Sequence, residues 1–229
     1  MTDNTATDTP DEQFDLDPFE IRVLGVLIEK AFVTPDNYPL SVNAIVTGAN
    51  QLTGRDPVMD LSESDVQDAL DRLLSRKLVS RRDQAGARVP KYEHLIRLRH
   101  SLPPPEQAVL ATLMLRGAQT VGEIRQRSER MHRFDDTGAV DKMLEHLAEK
   151  YPPMVAALPR APGTKETRHA HLLSGSDAFA QMGEAFAAGQ SAGGAGRGRS
   201  AELEDEVRRL REEVESLRRE FEKFRAQFE

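Results

Sequence analysis

The chain has 229 residues, 31 Lys and Arg against 38 Asp and Glu, no Cys and a formal net charge of −7. Without Cys there are no disulfides, no thiolate zinc site and no cysteine nucleophile, and no apolar run reaches the length that spans a bilayer. The acidity is uneven: residues 1–18 hold six acids and no base, residues 19–101 hold twelve bases and eleven acids, and residues 102–175 hold ten and nine. The central region therefore carries a slight excess of bases, and the overall sign does not exclude a nucleic-acid partner.

Residues 1–15 are expected to form a disordered acidic tail. They contain no basic segment leading into an apolar run, so nothing points to secretion, and a cytoplasmic location is expected. The first helix should start at Asp17, with Pro18 at its first position and Glu20 completing a capping box. Leu16 and Ile21 form the accompanying hydrophobic staple, and Val23, Leu24, Leu27, Ile28 and Ala31 give a helical apolar stripe. A second helix is predicted from Ser41 to about Gln51. A third starts at Ser62, with Asp65 at N3 and a core face of Val66, Ala69, Leu70, Leu73 and Leu74. Two short alternating segments, 78–82 and 88–92, flank a turn at Gly86 and read as a hairpin. Three helices followed by a hairpin is the order of a winged helix-turn-helix, predicted here over residues 16–101.

The pattern then returns. Leu16, Pro18, Glu20, Val23, Leu24 and Leu27 reappear 86 positions on as Leu102, Pro104, Glu106, Val109, Leu110 and Leu113. Val66, Leu70 and Leu73 match Val140, Leu144 and Leu147 at a shift of 74, and Gly86, Arg88, Lys91, His94 and Leu95 match Gly163, Lys165, Arg168, His171 and Leu172 at a shift of 77. Unequal shifts put the length changes in the loops. A second winged helix is thus predicted over residues 102–175. Its helix one runs from Pro104 to Arg116 and is closed by Gly117. Thr120 and Glu123 form a capping box for helix two, helix three lies between Asp136 and Lys150, and the wing strands lie within 155–160 and 167–172. Each repeat is expected to close its own core.

A short amphipathic helix is predicted at 176–188, then a flexible Gly-, Ala- and Ser-rich linker at 189–200, then a coiled coil at 201–229. In the last segment Leu203, Val207, Leu210, Val214, Leu217, Phe221 and Phe224 alternate in steps of four and three. Val at a and Leu at d favour a parallel two-stranded coiled coil. Glu206, Glu213 and Glu220 at g would face Arg211, Arg218 and Arg225 at e of the partner. A homodimer is the expected assembly; a trimer, or a single helix docked on the body, remains open. The fold class is therefore mainly α with small β wings: two tandem winged helix-turn-helix domains and a C-terminal coiled-coil helix.

Several motifs are denser than a generic winged helix requires. Glu29-Lys30, Thr34-Pro35, Tyr38-Pro39-Leu40-Ser41, Asn43, Asn50-Gln51, Arg55, Pro57-Val58-Met59, Leu61-Ser62-Glu63 and Lys91-Tyr92 resemble the YceH-like family of bacterial proteins. So does the run from Leu115 to Thr120 with Gly122, Glu123 and Arg125. The resemblance covers roughly residues 16–174. It implies tandem winged helices and brings no activity, catalytic residue or ligand with it.

The usual use of the fold places helix three in the DNA major groove and the wing on the backbone. Helix three here starts with Glu63, Asp65, Asp68 and Asp71, and its second copy carries Asp135, Asp136, Asp141 and Glu145. Such acids suit the helix dipole and repel phosphates. The bases lie further on: residues 72–100 hold nine against two acids. Arg76, Lys77, Arg81, Arg82, Arg88 and Lys91 are the candidate phosphate contacts, with Arg125, Arg127 and Arg130 in the second repeat. Asn43, Asn50, Gln51 and Arg55 are candidates for polar recognition, or else pin loops and cap helices. Duplex DNA is one expected partner; a protein chain bound by the winged helices without DNA is the other. His169 and His171 share a strand face without a third ligand. No metal, cofactor or catalytic residue is expected, and the chain reads as no enzyme.

Overall fold

The computed structural model describes residues 14–83, 89–160 and 166–191. Arg88, the turns at Gly86 and Gly163, residues 1–13, and the linker and predicted coiled coil with Leu203, Val207, Leu210, Val214, Leu217, Phe221 and Phe224 lie outside these residues. Helices dominate, accompanied by two small antiparallel sheets. The order is α1 (Pro18–Val33), α2 (Val42–Ala49), α3 (Glu63–Ser75), β1 (Val79–Arg82), β2 (Lys91–His94), then a short α4 (Ile96–His100). It continues with α5 (Pro104–Arg116), β3 (Gln119–Thr120), α6 (Val121–Ser128), α7 (Thr137–Glu149), β4 (Val155–Ala157), β5 (Arg168–His171) and α8 (Gly175–Ser191). This is a winged-helix-like arrangement.

The local start signals act as their chemistry dictates. The Asp17 carboxylate accepts from the Phe19 and Glu20 amides, and Glu20 returns the bond to the Asp17 amide at 2.9 Å. Reciprocal capping boxes also open α3 at Ser62 with Asp65 and α6 at Thr120 with Glu123. Ser41 caps α2 and Asp136 caps α7. Each such cap satisfies amides that the first helical turn leaves without partners.

The sheets add what the hairpin pattern did not contain. In the first, Arg82 pairs with Lys91 and Val79 with His94, and Leu40 exchanges both backbone hydrogen bonds with Tyr92, at 3.0 and 2.7 Å. In the second, β5 lies between β3 and β4. The segment just before helix two thus joins the wing in both repeats. Thr120, legible only as a cap, is also a strand residue opposite Arg168.

The expectation of two separate cores is corrected by the packing. One continuous hydrophobic cluster runs through both repeats, from Leu24, Leu27 and Leu70 to Leu110, Leu113 and Leu144. The residues of α1 from Glu20 to Ile28 are all buried, as are those of α5 from Glu106 to Leu115. A helix enclosed on every side lies inside a core rather than on its surface. Gly25 lets the two helices approach: a Cβ there would come within 3.0 Å of Leu115 Cδ2 and 3.3 Å of Met114 Cβ. The Leu16 amide also donates to the Leu173 carbonyl at 2.9 Å, tying the start of the first repeat to the end of the second. Both repeats belong to one compact unit that ends at Gly183. The second unit starts at Glu184, and its described part is the last turns of α8.

Candidate nucleic-acid interface

The first wing carries the candidate phosphate contacts on a two-stranded antiparallel scaffold. Val79 at the start of β1 is buried, while at the strand's end the Arg81 and Arg82 side chains are 53% and 61% exposed. Arg82 sits directly opposite Lys91, so two cations occupy neighbouring cross-strand positions. Both arginines already have acidic neighbours. Arg81 Nε lies 3.0 Å from Asp83 Oδ1, and Arg82 Nη2 lies 2.7 Å from Glu93 Oε1, which also accepts from Ser80 Oγ at 3.0 Å. The Arg81–Asp83 pair is exposed and weak enough for a phosphate to compete with it, while Glu93 is half-buried and only the Arg82 end of the second pair faces solvent. Arg97 and Arg99 on α4 are exposed as well, on either side of the exposed Leu98.

The other predicted bases differ. Lys77 is exposed at a left-handed position, φ 58°, where the chain leaves α3. Arg76 turns back onto α1, with Nε 3.3 Å from Glu20 Oε1 and Nη2 donating to the Asp15 carbonyl at 3.0 Å. In the second repeat Arg125 donates to the carbonyls of Phe134 and Asp135, at 3.2 and 2.8 Å, closing the loop after α6. Arg127 donates to Gln119 Oε1 at 3.0 Å and lies 3.4 Å from Glu123. Arg130 is exposed. The sequence-predicted bases therefore divide into exposed ones, Lys77, Arg81, Arg82 and Arg130, and others, Arg76, Arg125 and Arg127, that fasten loops and helices.

The candidate recognition groups divide in the same way. Asn43 is exposed on α2 and Gln51 is half-buried. Asn50 clamps the loop that precedes α3, donating to the Leu61 carbonyl at 2.9 Å and accepting from the Leu61 amide at 2.8 Å. Arg55 is 6% exposed. Its Nε donates to the Gly48 carbonyl at 3.0 Å and its guanidinium grips Glu29 at 2.6 and 3.2 Å. Burial works against the Glu29 charge as the largest single influence. The hydrogen bond and charge of Arg55, with Lys30, outweigh it and hold the carboxyl below its ordinary value. Asn50 and Arg55 are thus occupied in holding the loop between α2 and α3.

Facing outward on α3 are Glu63, Asp68 and Asp71, and on α7 Asp141 and Glu145. Gln67 donates to Asp71 at 2.9 Å, so the one neutral amide near this acidic face is engaged there. His171 is buried, and burial pushes its imidazole down to about 4, leaving it neutral. Among the described residues no three His, Asp or Glu side chains converge as a metal site requires, and no described helix is long and apolar enough to cross a membrane.

Sequence reasoning missed the buried charges. Arg22 is 1% exposed in the middle of α1 and donates to the carbonyls of Ala49 at 3.0 Å and Pro57 at 2.6 Å. Its signal was a single cation inside the apolar run Ile21–Ile28. Glu20 was legible as a capping residue and Glu106 as its repeat counterpart, but neither as a buried ion-pair partner.

These features define a mainly helical protein of winged-helix-like class with a basic wing beside an acidic helix. Residues 16–164 match the model of the family described as protein of unknown function DUF480, and the chain belongs to that family. It is 80% identical over 193 residues to a UPF0502 protein of Aromatoleum aromaticum, covering 84% of each chain. It is 70% identical over 190 residues to one from Azoarcus sp., covering 83% of this chain and 84% of the relative. A UPF0502 protein of Geobacter sulfurreducens is 51% identical over 160 residues, covering 70% and 73%. The family agrees with the YceH-like resemblance carried by the motifs.

Proposed function

We propose that this is a tandem winged-helix protein, cytoplasmic and without catalytic activity, that associates with duplex DNA in a regulatory role by gripping phosphates with its first wing. The observation that carries the reading is exposed Arg82 with half-buried Lys91 opposite it and exposed Arg81 beside it. Such contacts position a protein on the duplex without reading bases, which accords with the acidic exposed face of α3. The predicted coiled coil would join two such bodies, and the Gly-rich linker would raise their effective concentration at a shared duplex.

Fluorescence anisotropy with unrelated duplexes at two salt concentrations tests this. Affinity falls steeply with salt as counterions are released. Replacing Arg81, Arg82 and Lys91 together by Ala weakens binding to every duplex alike. Light scattering before and after deletion of residues 201–229 tests the dimer: the intact chain is a dimer and the truncated one a monomer that stays folded. Absence of DNA binding at low salt would overturn the DNA reading. The exposed acids of α3 and α7 favour a second reading in that case, an adaptor whose winged helices bind a basic segment of a partner chain.

A further inference from the structure

A cavity of about 410 Å³ lies where the start of α1, the loop after Arg55, the end of α5 and the first turns of α8 meet. Its walls are mainly apolar, supplied by Ile21, Met59, Met114 and Met182. The size falls within the range of small-molecule sites, and three thioether side chains adapt their shape to an occupant. Neither the wing nor the DNA reading uses this space.

Two polar side chains also line it, and both are more than nine-tenths buried: Arg22 and His171. Arg22 spends its two terminal nitrogens on the Ala49 and Pro57 carbonyls, while its Nε–H has no acceptor. His171 Nδ1 is likewise buried and without a partner. A buried donor left unpaired carries a desolvation penalty that an added acceptor relieves. The charges around the cavity narrow the choice. Asp15, Asp17 and Asp56 also line it, and their charges repel an anion. The Arg22 guanidinium repels a cation, more strongly because burial screens it less.

We propose that this cavity binds a neutral, mainly apolar small molecule bearing a carbonyl oxygen, with Arg22 and His171 as its polar anchors. The proposal does not rest on DNA binding and stands or falls separately.

Titration of the full-length protein with Prodan, a neutral naphthyl ketone whose emission shifts to the blue in apolar surroundings, tests it. Emission saturates at one site per chain. Filling the cavity from α8 with Ala178→Trp, or with Met182→Trp, lowers the affinity by at least about tenfold while circular dichroism stays that of the parent. Anilinonaphthalene sulfonate, an anion of similar size, binds roughly tenfold more weakly than Prodan, and Asp15→Asn with Asp56→Asn narrows that gap. Methyl NMR of the parent protein gives a readout independent of the variants, with Prodan shifting Met59, Met114 and Met182 selectively. Unsaturable emission, shifts confined to other methionines, or unchanged affinity in a folded Trp variant would overturn the site. A sulfonate that bound as tightly as Prodan would overturn the assignment of a neutral ligand.

Discussion

Lys150 Nζ lies 3.1 Å from Glu106 Oε2, and the same contact occurs in the first repeat between Arg76 and Glu20, at 3.3 Å. Each acid sits at N3 of its repeat's first helix, and each cation follows the last turn of its third helix. Both carboxylates are buried, with side chains 2% and 5% exposed. A second nitrogen-bearing side chain accompanies each, Arg72 at 3.9 Å and His146 at 3.5 Å. The duplication has thus preserved a buried ionic fastening between helices one and three. Removing a cation leaves a buried acceptor, so Lys150→Met should cost about 1–3 kcal/mol. The exposed Arg72–Asp17 pair, by contrast, is worth about 0–1 kcal/mol. Urea denaturation of Lys150→Met and Asp17→Asn checks the order of the two effects.

The shared core makes a different prediction. Leu27 and Leu113 are both fully buried, one in each repeat. Leu27→Ala and Leu113→Ala should each destabilise by about 2–5 kcal/mol. Because the cluster is continuous, each variant should still unfold the described body in one transition, seen equally by circular dichroism and by a probe in the other repeat. Two separated transitions would show that the repeats unfold independently.

Arg55, in the loop between α2 and α3, fastens Glu29 of α1. Arg55→Met should cost about 1–3 kcal/mol, because it leaves a mostly buried carboxylate with Lys30 as its neighbouring cation. Glu29→Gln in the same chain should recover part of that loss, and a double-mutant cycle measures the coupling. The Glu29 carboxyl lies below its ordinary value, so its contribution is present above that value and disappears as pH falls through the lowered one.

Buried imidazoles act at a milder pH. Burial lowers both His94 and His171 from 6.5 to about 4. Between those values the unfolded chain binds protons that the native chain refuses, so stability should be full above about 6.5 and decline as pH falls toward 4. Thermal midpoints followed across that interval should drop, and His171→Phe should flatten part of the slope. An unchanged slope would show that His171 is not held neutral by its surroundings.

Much of the fold was legible because its signals are local. Asp17 with Glu20, Ser62 with Asp65, and Thr120 with Glu123 are capping boxes that chain spacing alone specifies, and each opens a helix where expected. Strand alternation alone would put Arg81 on the buried face of Val79, whereas Arg81 and Arg82 are both exposed at the strand's end. The third wing segments were not legible, because Leu40 and Gln119–Thr120 are too short to show a period. The candidate site was only half visible. A base reads the same in sequence whether it points outward, as Arg82 does, or bonds back onto the chain's own carbonyls, as Arg76 and Arg125 do.

What the sequence determined by itself is the module: helix starts, wing strands, the repeat and the family, all set by residues close together in the chain. Only the tertiary structure decided how the repeats combine. Gly25 and Leu115 are far apart in sequence, and their close approach merges two expected cores into one. The same long-range packing buries Arg22 and His171 beside a cavity. Burial is a property of what surrounds a side chain, and no local pattern carries that information.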